Sequence, residues 1–131
     1  MSDVDRARDM FTMAEKDLAA LQGMGNNPQF AIEIFGFHAQ QAVEKALKAW
    51  IVSWVHDYPL THNIIILLTA LEEAGADVGG FWNLARFNTF AVQFRYEPAD
   101  ELDVELDRNE VIRDVTRLID HVRMVIGNTT M

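Results

Sequence analysis

One long segment repeats apolar residues at helical spacing and constrains the fold more than any other feature of the chain. We predict a helix from Gln29 to Val55. At about 100° per residue, its apolar positions cover more than half of the helix circumference: Ile32, Phe35, Ala39, Ala42, Val43, Ala46, Leu47, Trp50 and Trp54. A helix with so wide an apolar surface packs on two sides. The pattern therefore predicts that this helix is the centre of the fold.

Four further segments also have helical periodicity. Counting all five predicted helices along the chain, Gly23 is expected to cap the first and Thr61 the third, while Asp107 and Glu110 form a capping-box-like pair before the last. Alternating β-type runs are absent, and short loops favour antiparallel neighbours. The expectation is an all-α, up-and-down antiparallel bundle of about five helices, forming a single domain over residues 1–131. The four further helices are predicted at Val4 to Gln22, His62 to Ala74, Phe81 to Gln93 and Arg108 to Ile126.

Composition excludes several classes of protein. The chain has no cysteine, which rules out disulfides, zinc–thiolate sites and thiol nucleophiles. No apolar run approaches the roughly 20 residues that span a bilayer, and the acidic N-terminal residues do not resemble a signal peptide. The net charge of −9 opposes general nucleic-acid binding. We expect a cytoplasmic protein without a membrane or DNA partner.

The most informative polar residues lie on the predicted central helix. His38, Gln41, Lys45 and Lys48 step by three, four and three residues, so they form one line beside the apolar surface, here called the polar edge. An imidazole, an amide and two ammonium groups in this arrangement can hold an anion such as phosphate. The alternative is that the lysines are solvated and the other two side chains satisfy hydrogen bonds at a helix or subunit interface.

Other candidate residues lie outside the central helix. His62 follows Thr61 at the start of the third predicted helix, where it either binds a ligand or has a structural role, bonding to backbone groups or to a neighbouring helix. Arg95 at the end of the fourth predicted helix either binds phosphate or carboxylate, or pairs with an internal acidic residue. Tyr96 beside it offers an amphipathic ring and a hydroxyl group. His56 and His62 do not have metal-ligand spacing, and we expect neither a metal nor a cofactor.

Three sequence motifs resemble those of the HEPN domain family. The segment from His38 to Ala49 is similar to the family signature HxxQQAxEKxLKA, with one residue instead of two between His38 and the paired glutamines. The segment from Thr61 to Ile64 resembles the T-H-D-L start of the family's third helix, with Asn63 where Asp is frequent. The segment from Phe94 to Pro98 resembles its R-Y-P segment. Together the motifs span residues 38 to 98 in the family's order.

The resemblance implies a helical bundle that commonly forms a homodimer and often acts with a minimal nucleotidyltransferase in a toxin–antitoxin pair. The resemblance also implies that the Tyr96 hydroxyl is a site that a nucleotidyltransferase partner modifies. Many family members are metal-independent ribonucleases with an arginine and a histidine separated by four to six residues. This chain departs from that motif, because Arg117 and His121 have only three residues between them and Arg113 and His121 have seven. Arg117 and His121 still share a helix face and are the candidate catalytic pair, and the alternative is that they are a solvent-facing pair at the end of the helix.

The sequence is compatible with three functions. The leading hypothesis is a HEPN module that dimerises, acts with a nucleotidyltransferase and binds a nucleotide at the polar edge and Arg95. The second is an endoribonuclease toxin that cleaves RNA with Arg117 and His121. The third is a structural helical interaction protein without a ligand.

Overall fold

The computed structural model describes residues 3–91 and 106–129. These residues form four α-helices and one 3₁₀ helix, and the described part of the chain contains no strand, which confirms the predicted all-α bundle. The α-helices are α1 (Asp3–Met24), α2 (Ile32–Val55), α3 (Ile64–Glu73) and α4 (Arg108–Thr129), and the 3₁₀ helix spans Trp82–Phe90 between α3 and α4.

The second helix lies at the centre of the bundle, as its wide apolar surface predicts. It packs against α1, α3, α4 and the 3₁₀ helix. Its buried apolar side chains extend from Phe35 to Val52, and Trp50 is among the largest fully buried side chains of the protein. The alanines of α2 that are fully buried allow neighbouring helices to approach closely.

Two predicted helix caps are wrong. Gly23 lies inside α1, and the chain leaves that helix at Gly25, whose φ of 49° suits glycine and whose N–H donates to the Leu21 carbonyl at 2.9 Å. Thr61 does not cap α3. The cap is Asn63, whose Oδ1 accepts from the Ile65 N–H at 2.9 Å, so α3 begins two residues later than predicted.

Three helix boundaries also differ from the prediction. The segment after Asn27 forms a turn in which the Asn27 side chain accepts from the Gln29 N–H, so α2 begins at Ile32. The fourth predicted helix is a 3₁₀ helix, and its predicted end at Gln93 lies outside the described residues. Helix α4 continues through Gly127 to Thr129 instead of ending at Ile126, because glycine weakens a helix without stopping it.

The cap of α4 agrees with the prediction, since Asp107 Oδ1 accepts from the Glu110 N–H at 3.2 Å. No helix in the described ranges is both long enough and apolar enough to cross a membrane.

Candidate functional site

The polar edge lies along α2 where that helix borders α1 and α3. Its four residues, His38, Gln41, Lys45 and Lys48, are all partly exposed. They do not stand alone in solvent, because two buried carboxylates from the same region contact three of them.

The first carboxylate belongs to Asp17 of α1, which is only 8% exposed. Its Oδ2 accepts from Lys45 Nζ at 2.7 Å, and its Oδ1 lies 3.0 Å from His38 Nδ1. One acidic side chain of α1 therefore holds two basic side chains of α2. A buried charge needs such partners, because desolvation without them is costly.

The second carboxylate belongs to Glu44 of α2, which is 5% exposed. Its Oε2 accepts from Lys48 Nζ at 2.8 Å. Its Oε1 accepts from Gln40 Nε2 at 2.8 Å and lies 2.9 Å from Nδ1 of His62. This network joins α2 to the segment that leads into α3.

Two amides complete the second network. Gln40, which is fully buried, also donates from Nε2 to the His62 carbonyl oxygen at 3.1 Å. Gln41 donates from Nε2 to Gln40 Oε1 at 2.7 Å. The backbone and the ring of His62 are thus both held by side chains of α2.

Opposing effects set the ionisation of Glu44. Burial acts to raise the pKa of this carboxyl, but hydrogen bonds from Lys48, Gln40 and His62 outweigh burial, and the pKa is lowered from its ordinary value. The carboxyl is therefore ionised at neutral pH, and the network contains a carboxylate and an ammonium group in direct contact.

The sequence interpretation missed Asp17, Gln40 and Glu44. The sequence does indicate that Asp17 is buried, because this residue lies at helical spacing with the buried residues Ala14, Leu18 and Leu21. Glu44 similarly lies between the buried residues Val43 and Ala46. A charged residue within an apolar pattern predicts a buried partner, but the pattern does not identify that partner.

An open pocket of about 320 Å³ lies beside His62 and is lined by Thr61, His62, Asn63, Asn88 and Ala91. Asn88 of the 3₁₀ helix donates to Asn63 Oδ1 at 3.0 Å and accepts from the Ile64 N–H at 2.8 Å. These bonds hold the start of α3 against the 3₁₀ helix and fix two of the residues that line the pocket, Asn63 and Asn88.

The predicted catalytic pair lies on another side of α2. Arg117 donates to the Gly80 carbonyl at 2.6 Å and lies over the Phe81 ring, 5.7 Å from its centroid. The ring of His121 lies 4.8 Å from Trp50 and 5.4 Å from Phe81, measured between centroids. Because Trp50 and Lys48 are two residues apart, they project from opposite sides of α2. The pair is therefore separate from the polar edge.

Two predicted ligand-binding residues, Arg95 and Tyr96, lie outside the described residues. Within residues 3–91 and 106–129, no group of three or more histidine, cysteine or acidic side chains has an arrangement that would hold a metal ion.

Comparison with known protein families identifies a match over most of the chain. A family model described as HEPN domain matches residues 7–127, which is nearly the whole chain. No curated protein and no solved structure matches the chain.

Proposed function

Because the chain belongs to the HEPN domain family, we propose that it is a HEPN module that works by association. In this proposal the chain forms a homodimer and acts with a partner nucleotidyltransferase in a toxin–antitoxin-type system. It also binds a nucleotide on the side of α2 that carries the polar edge.

The local balance of charge on this side of α2 carries the proposal. The chain as a whole has a net charge of −9. Around the polar edge, however, two carboxylates, Asp17 and Glu44, face four basic side chains, His38, Lys45, Lys48 and His62. The two ammonium groups balance the two carboxylates, and each imidazole adds positive charge when it is protonated. A site whose acidic and basic groups balance repels an anion such as a nucleotide phosphate less than the rest of this acidic protein does, and protonation of either imidazole would attract the anion.

Exposed apolar side chains near the same region support association with another protein. Leu60, in the loop that precedes α3, is 96% exposed. Ile65 and Ile66, in the first turn of α3, are 47% and 44% exposed. Single exposed apolar residues are ordinary, whereas a contiguous exposed apolar patch is typical of an interaction surface, and these three side chains come from one short segment, residues 60–66.

Co-purification tests the association. We would tag the full chain, express it with the reading frames beside its gene, and measure the mass of the isolated complex by light scattering. The expected result is a homodimer, twice the chain mass of 14.9 kDa, together with a nucleotidyltransferase. Ile66→Asp should weaken the assembly, whereas Glu73→Lys, an exposed change on the same helix, should leave it intact. A monomer that captures no nucleotidyltransferase contradicts the proposal.

A second candidate function is metal-independent RNA cleavage by Arg117 and His121. The observation in its favour is that both side chains contact the same ring, that of Phe81, so a guanidinium and an imidazole lie near each other. Such a pair supplies a cation for the phosphate and a group that transfers protons. Growth inhibition on expression that disappears in His121→Ala but persists in His56→Ala would favour this function. A chain that neither associates nor inhibits growth would favour a structural bundle without a ligand.

A further inference from the structure

We propose that the pocket beside His62 binds the phosphate monoester of a nucleotide and that His62 is the residue that contacts the phosphate. Glu44 is then a positioning residue, which acts by orienting the imidazole. This inference rests on the proposed function for the choice of a nucleotide as ligand, and it identifies which residues hold the phosphate.

The orientation of His62 is the first argument. Its Nδ1 is directed to Glu44 Oε1 at 2.9 Å, and its backbone carbonyl accepts from Gln40. Its side chain is nevertheless 71% exposed, whereas that of Glu44 is 7% exposed. A buried carboxylate at Nδ1 leaves Nε2 as the ring nitrogen available to a ligand in the pocket that His62 lines, with the ring already oriented before any ligand binds.

The remaining polar groups of the pocket are mainly donors. Thr61 Oγ1 accepts from the Asn63 N–H at 3.0 Å, which leaves its hydroxyl hydrogen to donate. Asn63 Oδ1 already accepts from Ile65 and Asn88, which leaves the Asn63 amide nitrogen to donate. Both polar atoms of the Asn88 side chain are engaged. A hydroxyl and an amide as donors, joined by the His62 imidazole when its ring is protonated, suit a ligand rich in acceptors, as a phosphate is.

The lysines of the polar edge are poorer phosphate ligands than His62. Lys45 and Lys48 each donate to a buried carboxylate at 2.7 and 2.8 Å, and transferring either ammonium group to a ligand would leave that carboxylate without its cation. The N–H groups of Ile64 and Ile65 at the start of α3 are also engaged, by Asn88 and Asn63. The phosphate is therefore assigned to side chains of the pocket and not to the helix terminus.

The size of the pocket agrees with a small ligand. Its volume of about 320 Å³ is near the lower end of the range of about 300–1,000 Å³ for small-molecule sites. Ala91 supplies an apolar side chain at its wall. A phosphate with its attached sugar fits such a space better than an extended polymer does.

Titration of the full-length chain with AMP, adenosine and inorganic phosphate tests the inference. Calorimetry should give binding of AMP that is at least about tenfold tighter than that of adenosine, because adenosine lacks the charged acceptor. In amide NMR spectra, AMP should shift the signals of residues 61–63 and 88 more than those of residues 38 and 45.

Two variants and one matched control separate the pocket from other surfaces. His62→Ala should weaken AMP binding by about tenfold or more. Asn63→Asp keeps a side-chain acceptor for the cap of α3 and places a negative charge at the pocket, so it should fold normally and also weaken AMP binding. His56→Ala is the control, because His56 is 79% exposed and contacts a different carboxylate, Asp3, through the same ring nitrogen. Its AMP affinity should equal that of the wild type.

Four results would overturn the inference: no AMP binding by the wild type, equal affinity for AMP and adenosine, equal effects of His62→Ala and His56→Ala, or AMP-induced shifts centred on residues 38 and 45. Inorganic phosphate that binds as tightly as AMP would overturn the assignment to a nucleotide. Light scattering on the same samples keeps the two proposals distinct. Loss of AMP binding in an intact assembly would refute the pocket alone, and AMP binding by a monomer without a partner would refute association alone.

Discussion

Gly36 of α2 lies against the ring of Phe90 so closely that a Cβ at position 36 would be 2.5 Å from two of the ring atoms. Both residues are fully or almost fully buried. The absence of a side chain at Gly36 therefore allows the end of the 3₁₀ helix to pack directly on α2. Asn88, which lines the pocket beside His62, lies two residues before Phe90 in the same 3₁₀ helix.

Substitution of Gly36 by alanine should destabilise the protein. The added methyl group cannot fit against Phe90 without displacing the ring, which costs about 1–3 kcal/mol in a packed interior. Urea denaturation measures the change in the free energy of unfolding. Gly23→Ala is the matched control, because Gly23 lies within α1 and an added Cβ would meet nothing within 4 Å. That change should stabilise the protein by about 0.5–1 kcal/mol, and destabilisation by both changes alike would contradict the role of Phe90.

Removal of Lys48 should be costly because it leaves Glu44 without its ammonium partner in a buried position. We expect Lys48→Met to lower the free energy of unfolding by about 3 kcal/mol. The double variant Glu44→Gln/Lys48→Met should recover more than half of that loss, since no charge then remains unpaired. Lys16→Met, on an exposed position of α1, is the control for loss of a lysine and should change stability by less than about 0.5 kcal/mol. A double variant no more stable than the single one would argue against a charge-based cause.

The lowered pKa of Glu44 predicts how stability changes in acid. Because the pKa of this carboxyl lies below its ordinary value of 4.5 in the folded state, the unfolded chain takes up the proton first as pH falls. The carboxylate therefore contributes stability above its unfolded pKa, and that contribution is lost as pH falls through the folded pKa. The difference in unfolding free energy between the wild type and Glu44→Gln should be largest at neutral pH and shrink below pH 4.5.

Denaturant titrations at a series of pH values measure this difference, with Glu72→Gln as the control for an exposed glutamate of α3. The stability of Glu72→Gln should follow that of the wild type across the whole series. A wild-type advantage over Glu44→Gln that persists unchanged in acid would show that the carboxylate makes no pH-dependent contribution.

Arg108, the first residue of α4, connects that helix to the turn between α1 and α2. Its guanidinium donates to the carbonyl oxygens of Asn27 at 3.1 Å and Phe30 at 2.6 Å and lies 5.0 Å from the centroid of the Phe35 ring. Arg108→Ala should destabilise the protein by about 2 kcal/mol, since hydrogen bonds from a charged donor are worth about 1.5–3 kcal/mol. Thermal or urea unfolding provides the measurement.

Lysine at position 108 should restore less than half of this loss, because an ammonium group cannot form the planar fork that reaches two carbonyls and stacks on a ring. Arg113→Ala, at an exposed position of the same helix, should change stability little. Full recovery with lysine would mean that charge alone, without the shape of the guanidinium, explains the contribution of Arg108.

Much of the architecture could be predicted from local patterns. The positions of Phe35, Ala39, Ala42, Ala46 and Trp50 predict a central helix, because a helix that is apolar over more than half of its circumference must be covered on two sides. The spacing of His38, Gln41, Lys45 and Lys48 likewise predicts one shared face. The caps of α1 and α3 were harder to predict, since Gly23 and Gly25, or Thr61 and Asn63, are similar residues two positions apart.

The composition of the site could not be predicted from those patterns. Lys45 and His38 meet Asp17, which precedes His38 by 21 residues, and His62 meets Glu44, which precedes it by 18 residues. Helical periodicity relates residues within a few turns of one another and contains no information about which residue of another helix lies opposite.

The sequence by itself determined that this protein is a helical bundle centred on the segment around residues 32–55, because hydrophobic periodicity depends only on neighbours along the chain. Its motifs also determined the family. Tertiary structure alone decided that the basic side chains of the polar edge face buried carboxylates and that His62 lines an open pocket. The physical reason is that a charge acquires its partner only when separate helices pack together, and their packing depends on the whole core at once.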